Sequence, residues 1–94
     1  MPLNIAILAS GSGTNAQSMI DKAAAGLLDV DIRLIAGNRP GAKVFDRARA
    51  AGIPYLELDH KAFESREAFD AEMVAAIRQS GAEYVVLAGY MRLL

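Results

Sequence analysis

The chain has 94 residues, of which 53% are hydrophobic and 22% are charged, and its formal net charge at neutral pH is −1. This length allows at most one domain, and the charge leaves no basic excess for binding nucleic acid. The absence of cysteine excludes disulfides and cysteine-ligated metal sites and fits a cytoplasmic location. No apolar run approaches the roughly 20 residues of a membrane span, so we expect no membrane partner.

The beginning of the chain predicts a strand, a glycine-rich loop and a helix. Leu3–Ala9 is almost entirely apolar, which is typical of a strand buried on both faces of a parallel sheet. Gly11 and Gly13 follow, and apolar residues then recur at helical spacing, which predicts a helix from near Asn15 to about Gly26. A glycine loop at a helix N-terminus presents backbone N–H groups that favour an anion, most often a phosphate.

The middle of the chain continues the alternation of strand and helix. Asp29–Ala36 begins with alternating residues and ends apolar, which predicts a second strand with one exposed end. Gly37–Gly41 is typical of a strand-to-helix loop, and we expect the following short helix to end at Gly52. Tyr55–Leu58, a half-polar segment after Pro54, predicts a short strand at the edge of the sheet.

The last part of the chain predicts a third helix, with Ser65 as its N-terminal cap, and a fourth strand at Tyr84–Ala88. The order βαβαβαβ with short connections predicts an α/β fold. We expect a parallel, doubly wound, Rossmann-like sheet with helices on both faces and strand order 3-2-1-4. Strands one and four are neighbours in that order, so Gly89–Leu94 is expected to lie beside the glycine loop.

Strand four forms one edge of the predicted sheet, although it has neither the charge nor the proline of a protected edge. Leu93 and Leu94 add an apolar pair directly after it. We therefore expect residues 1–94 to be an incomplete front part of a larger fold, in which further strands pair with strand four. The alternative is self-association through this edge.

The spacing Gly11-x-Gly13-x-x-Ala16 also fits the loose dinucleotide-binding fingerprint. That fingerprint requires an acidic residue at the end of strand two for NAD, whereas Gly37-Asn38-Arg39 stands there and at best favours NADP. The Gly-Lys-Ser/Thr motif of a nucleoside-triphosphate P-loop is absent. From the residues, an NADP-binding Rossmann module and a non-catalytic nucleotide-binding module both stay open.

Five segments together resemble the phosphoribosylglycinamide formyltransferase family, which comprises folate-dependent enzymes of purine biosynthesis. These segments are Ile7–Asn15, Gly37–Arg39, Ala48–Pro54, Phe63–Asp70 and Val85–Leu94. The resemblance runs through essentially the whole chain. It implies transfer of a formyl group from the co-substrate 10-formyltetrahydrofolate to the amine of the small-molecule substrate 5′-phosphoribosylglycinamide, with no metal.

The resemblance also implies roles for individual residues. The residues implied for the phosphate and ribose of the ribonucleotide are Gly13, Thr14, Asn15, Ala16 and Gln17. The residues implied for the folate are Arg66, Met91, Arg92, Leu93 and Leu94. Taken without the resemblance, the sequence favours Arg66 as an exposed residue that pairs with Asp70 on the same helix.

The catalytic Asn, His and Asp of the family lie beyond the segment that matches Met91–Leu94. We therefore expect no catalytic residue within residues 1–94, and no activity from these residues alone. His60, the only histidine, stands in a predicted loop and does not match the catalytic position of the family. It is interpreted as a solvated loop residue.

Overall fold

The computed structural model describes residues 2–9, 14–37, 42–87 and 90–93. Their elements, in chain order, are β1 (Leu3–Ala9), α1 (Thr14–Ala24), β2 (Val30–Gly37), α2 (Lys43–Ala51), β3 (Tyr55–Glu57), a 3₁₀ turn (His60–Ala62), α3 (Arg66–Gln79), β4 (Tyr84–Leu87) and β5 (Tyr90–Leu93). The strands form one sheet in the order β3-β2-β1-β4-β5. β1 to β4 are parallel, which confirms the α/β fold and the predicted order 3-2-1-4.

Helices cover both faces of the sheet. α1 and α2 pack on one face, where the buried residues are Ile5, Ile7, Ala16, Ile20, Ile35, Val44, Phe45, Ala48 and Val86. α3 packs on the other face, where the buried residues are Ala6, Leu34, Ala36, Met73, Ile77, Ala82 and Val85. Alternate residues of β1 and β2 enter the two clusters because successive side chains of a strand point to opposite faces. This arrangement explains why both strands are so apolar.

β2 is exposed at its beginning and buried at its end, as its sequence predicts. The register between β1 and β2 shifts between Ile5, which pairs with Ile32, and Ala6, which pairs with Leu34, so Arg33 has no direct partner in the register. The side chain of Arg33 donates a hydrogen bond from Nε to Asn4 Oδ1, on β1, at 3.3 Å. The residues after this irregularity lie between the two helical layers, which accounts for their burial.

Residues at the helix ends behave as their types predict. Gly52 ends α2 with a φ of 72°, in the left-handed region that glycine adopts without strain. Ser65 precedes α3, and its side chain accepts a hydrogen bond from the backbone N–H of Ala68 at 3.2 Å. The bond gives a partner to one of the N–H groups that a helix leaves unpaired at its beginning.

β5 differs from the prediction. The residues after β4 fold back as an antiparallel strand, with Leu87 opposite Tyr90 and Tyr84 opposite Leu93. The prediction that strand four forms the edge of the sheet is therefore wrong for the described residues, because β5 lies on that edge. The physical reason is that backbone pairing with β5 gives partners to N–H and C=O groups that an open β4 edge would leave unpaired. Self-association through the strand-four edge would first have to displace β5.

Candidate functional site

The candidate site lies at the edge of the sheet where the four parallel strands end. α1 begins after β1, at Thr14, and at this edge β4 is a neighbour of β1, with Leu87 opposite Leu8. The first four N–H groups of a helix have no partner within it, and in α1 they belong to residues 14–17. The first turn of α1 has no acidic residue that would oppose an anion. This end of α1 is therefore suited to bind an anion through its backbone.

The five residues expected to bind the ribonucleotide contribute in different ways. Gly13 lies outside the described residues. Thr14 and Asn15 are the first two residues of α1, so their backbone N–H groups belong to its N-terminal turn. Ala16 is 1% exposed because its side chain packs into the core, so only its backbone faces the site. Gln17 is half-buried and carries a polar side chain at the end of the first turn.

The side chain of Gln17 is held from two directions. Its Nε2 donates to Asp21 Oδ1 at 2.8 Å, one turn further along α1. Its Oε1 accepts a hydrogen bond from Arg47 Nη1, on α2, at 3.3 Å. The predicted site residue is thus connected to a cation 30 positions away in sequence. The sequence interpretation did not single out Arg47, because no motif links it to the glycine loop.

Gly37 allows β1, β2 and α2 to approach one another closely at the site. It pairs with Ala9 at the ends of the two strands. A Cβ atom at Gly37 would lie 2.7 Å from the carbonyl oxygen of Ala9 and 3.0 Å from Cζ of Phe45. Phe45 is 2% exposed, so its ring has little room to withdraw. Any larger residue at position 37 must shift the end of β1, from which the glycine loop leaves.

The outer side of α2 carries a second cation beside β3. Arg49 Nη2 lies 3.2 Å from the hydroxyl of Tyr55, and the guanidinium carbon lies 5.7 Å from the centre of the Tyr55 ring. The hydrogen bond to Tyr55 and the charges of Tyr55 and Asp46 raise the pKa of Arg49 above its ordinary value. Arg49 therefore stays charged, but its partners belong to α2 and the β3 edge rather than to the start of α1.

Arg66 lies on the other side of the sheet from α1. It is the exposed first residue of α3, whose start is fixed by the Ser65 cap and by an edge-to-face contact between the Phe63 and Phe69 rings. α3 packs on the face opposite to α1 and α2. Within the described ranges no ion pair joins Arg66 to Asp70. The exposed guanidinium is therefore accessible at the carboxyl edge of the sheet, on the α3 side.

The other residues expected to bind folate lie on or after β5. Met91, Arg92 and Leu93 belong to this strand, and Leu94 lies outside the described residues. Leu93 is opposite Tyr84, the first residue of β4, so β5 runs away from the edge where α1 begins. The structure thus places β4 beside β1, as expected, but it does not extend residues 91–93 along that edge. The expected proximity of this segment to the glycine loop lies outside the described residues, because residues 10–13 are not among them.

Metal-binding groups, membrane-spanning helices and pockets were sought in the rest of the described chain. No group of three or more His, Asp or Glu residues suited to a metal ion occurs among the described residues. No described helix has both the length and the apolar composition needed to cross a bilayer. An open groove runs along the outer face of α3 past Val74, and it contains none of the predicted site residues.

Comparison with known proteins identifies relatives over nearly the whole chain. Residues 3–94 match the family described as formyl transferase. The chain is 40% identical over 92 residues to phosphoribosylglycinamide formyltransferase of Escherichia coli strain K12 and covers 43% of that protein. It is also 40% identical over 92 residues to the trifunctional purine biosynthetic protein adenosine-3 of Drosophila melanogaster, of which it covers 7%. These alignments include 98% and 96% of this chain, respectively.

A solved structure confirms the architecture. Glycinamide ribonucleotide transformylase 1 from Geobacillus kaustophilus superposes with a TM-score of 0.90 at 37% sequence identity. The superposition covers 100% of this chain and 50% of that chain. The 94 residues therefore correspond to about half, or less, of the relatives that they match.

Proposed function

The chain belongs to the formyl transferase family, and on that premise we propose that residues 1–94 form the N-terminal, nucleotide-binding part of a phosphoribosylglycinamide formyltransferase. The proposed reaction transfers a formyl group from 10-formyltetrahydrofolate to the amine of 5′-phosphoribosylglycinamide, a step of purine biosynthesis. The names of the bacterial relatives support formyl transfer to the ribonucleotide, and the folate donor follows from the family resemblance. A cytoplasmic location and the absence of a metal stay predictions from the sequence.

The observation that carries the proposal is the position of the first turn of α1. This turn follows β1, lies at the carboxyl edge of a parallel sheet and presents unpaired N–H groups with no acidic residue beside them. These features favour a phosphate group, and the family resemblance indicates the monoester of the ribonucleotide. Gly13, Thr14, Asn15 and Ala16 are proposed to contact the phosphate through their N–H groups, with Gln17 towards the ribose.

The chemistry requires the amine of the ribonucleotide to attack the formyl carbon. A new C–N bond forms through a tetrahedral intermediate, the bond from the formyl carbon to the folate nitrogen breaks, and the proton that the amine loses replaces the formyl group on that nitrogen. Residues 1–94 contribute binding to this scheme, because the family's catalytic Asn, His and Asp have no counterpart among them. We propose that these residues alone do not catalyse the transfer.

Folate binding is proposed for the second set of residues. Arg66 is exposed at the beginning of α3, where a guanidinium can pair with a carboxylate of the folate. The remaining members of the set are Met91, Arg92, Leu93 and Leu94. Their assignment rests on the family resemblance, because β5 runs away from the edge of the sheet where α1 begins.

Isothermal titration calorimetry on the 94-residue chain tests the ribonucleotide site. We expect saturable binding of 5′-phosphoribosylglycinamide, weaker binding of inorganic phosphate at the same site, and no binding of NADPH in competition with the ribonucleotide. Gln17→Glu places a carboxylate in the first turn of α1, so we expect it to weaken ribonucleotide binding. Glu67→Gln, a change of one charge on α3, is the matched control. Tight binding of NADPH without any response to the ribonucleotide would support an NADP-binding module instead.

A further inference from the structure

Arg47 connects α2 to the turn of α1 that carries the proposed anion site. Its Nη1 donates to Gln17 Oε1 at 3.3 Å in a partly buried position. The same amide donates to Asp21 at 2.8 Å. The oxygen of the Gln17 amide is therefore held by a cation from a neighbouring helix, and its nitrogen is held by a carboxylate from its own helix.

The packing of the two helices explains how Arg47 reaches this position. α1 and α2 lie side by side on the same face of the sheet, with Ala16 and Ile20 from α1 and Val44 and Ala48 from α2 buried beneath them. Arg47 directly precedes the fully buried Ala48 and is itself half-buried. Its guanidinium thus lies along the seam between the helices, where side-chain movement is restricted.

We propose that Arg47 is a positioning residue for the anion site at the beginning of α1. By holding the Gln17 amide, it fixes the first turn of the helix relative to α2, and it keeps a positive charge beside the N–H groups of residues 14–17. Both effects favour a bound phosphate, because less side-chain freedom is lost on binding and the local potential is more positive. This inference rests on the proposed function, since it assumes that the first turn of α1 binds the ribonucleotide.

Arg47→Met is the informative substitution because it keeps an unbranched apolar stem and removes the charge and the donors of the side chain. We expect it to weaken 5′-phosphoribosylglycinamide binding by about three- to tenfold in calorimetry, because the Gln17 side chain must then be ordered when the ligand binds. Arg47→Lys retains a charge and a donor, so it should recover part of the affinity. Arg49→Met is the matched control on the same helix, since Arg49 contacts Tyr55, and we expect its affinity to stay within about twofold of wild type.

A double-variant cycle separates positioning from a general effect on the fold. In a Gln17→Met background there is no amide for Arg47 to hold and only the effect of its charge is left, so Arg47→Met should reduce the affinity by a smaller factor than it does with Gln17 present. Urea unfolding of each variant gives the change in stability separately. In the free protein, the side-chain NH₂ resonances of Gln17 should shift in Arg47→Met and not in Arg49→Met, because Arg47 contacts this amide whereas Arg49 contacts Tyr55.

The outcomes are distinct. Unchanged ribonucleotide affinity in Arg47→Met, with normal binding by the wild-type chain, overturns the role of Arg47 and leaves the proposed function intact. An equal loss of affinity with and without the Gln17 amide also overturns positioning through Gln17. Absence of ribonucleotide binding by the folded wild-type chain overturns the proposed site, and the inference about Arg47 with it.

Discussion

Gly37→Ala tests whether the close approach of β1, β2 and α2 shapes the candidate site. The added Cβ would lie 2.7 Å from the carbonyl oxygen of Ala9 and 3.0 Å from Cζ of Phe45. Overpacking of this kind costs about 1–3 kcal/mol. Alanine also reduces the freedom of the unfolded chain, which offsets about 0.4–1 kcal/mol. From the midpoints of these two ranges we expect the free energy of unfolding to fall by about 1.3 kcal/mol, and Tm by about 5–10 °C.

The chain contains no tryptophan, so far-UV circular dichroism during urea and thermal unfolding is the suitable assay. Phe45→Leu removes the ring contact but leaves the shorter contact with the backbone oxygen of Ala9. More than half of the destabilisation by Gly37→Ala should therefore persist in the Phe45→Leu background. An unfolding free energy for Gly37→Ala equal to or above that of the wild-type chain would refute the reasoning.

Three further predictions concern the helix cap, the core and the surface. Ser65→Ala removes the cap of α3 and should lower the unfolding free energy by about 1 kcal/mol, whereas Ser65→Asp should retain it; equal stability of the two variants would contradict this. Ile35 is 0% exposed, so Ile35→Val should lower the free energy of urea unfolding by about 0.5–1.5 kcal/mol. Leu27 is 75% exposed, so Leu27→Ala should change this free energy by less than about 0.5 kcal/mol. Asp31→Asn removes an exposed ion pair with Arg33 and should also lower the unfolding free energy by less than about 0.5 kcal/mol. Because salt screens exposed charges, the difference between this variant and the wild-type chain should not grow in 1 M salt.

The sequence alone was sufficient for the helices and for strands β1 to β4 because the signals involved are local. The apolar run at Leu3–Ala9 predicts a buried strand, and Gly52 and Ser65 predict a helix end and a helix start. Each of these signals depends on residues within a few positions of one another, and the structure confirms all three. The same holds for the parallel order 3-2-1-4, since short right-handed connections leave few other arrangements.

The family resemblance supplied what local patterns left open about function. The glycine loop by itself was compatible with a dinucleotide or with a phosphate monoester. The combination of Ile7–Asn15 with Val85–Leu94 indicated one family, and the match over residues 3–94 confirms it. The individual binding roles of Gly13–Gln17 stay predictions.

Only the tertiary structure decided which distant residues meet. Gly37 has to be small because Ala9 and Phe45 converge on it, and Gln17 is held by a residue 30 positions away. The hairpin between β4 and β5, likewise, follows from backbone pairing at a sheet edge rather than from the apolar pattern of its residues. Such contacts depend on how helices and strands pack in three dimensions, so the periodicity and spacing of the sequence do not specify them.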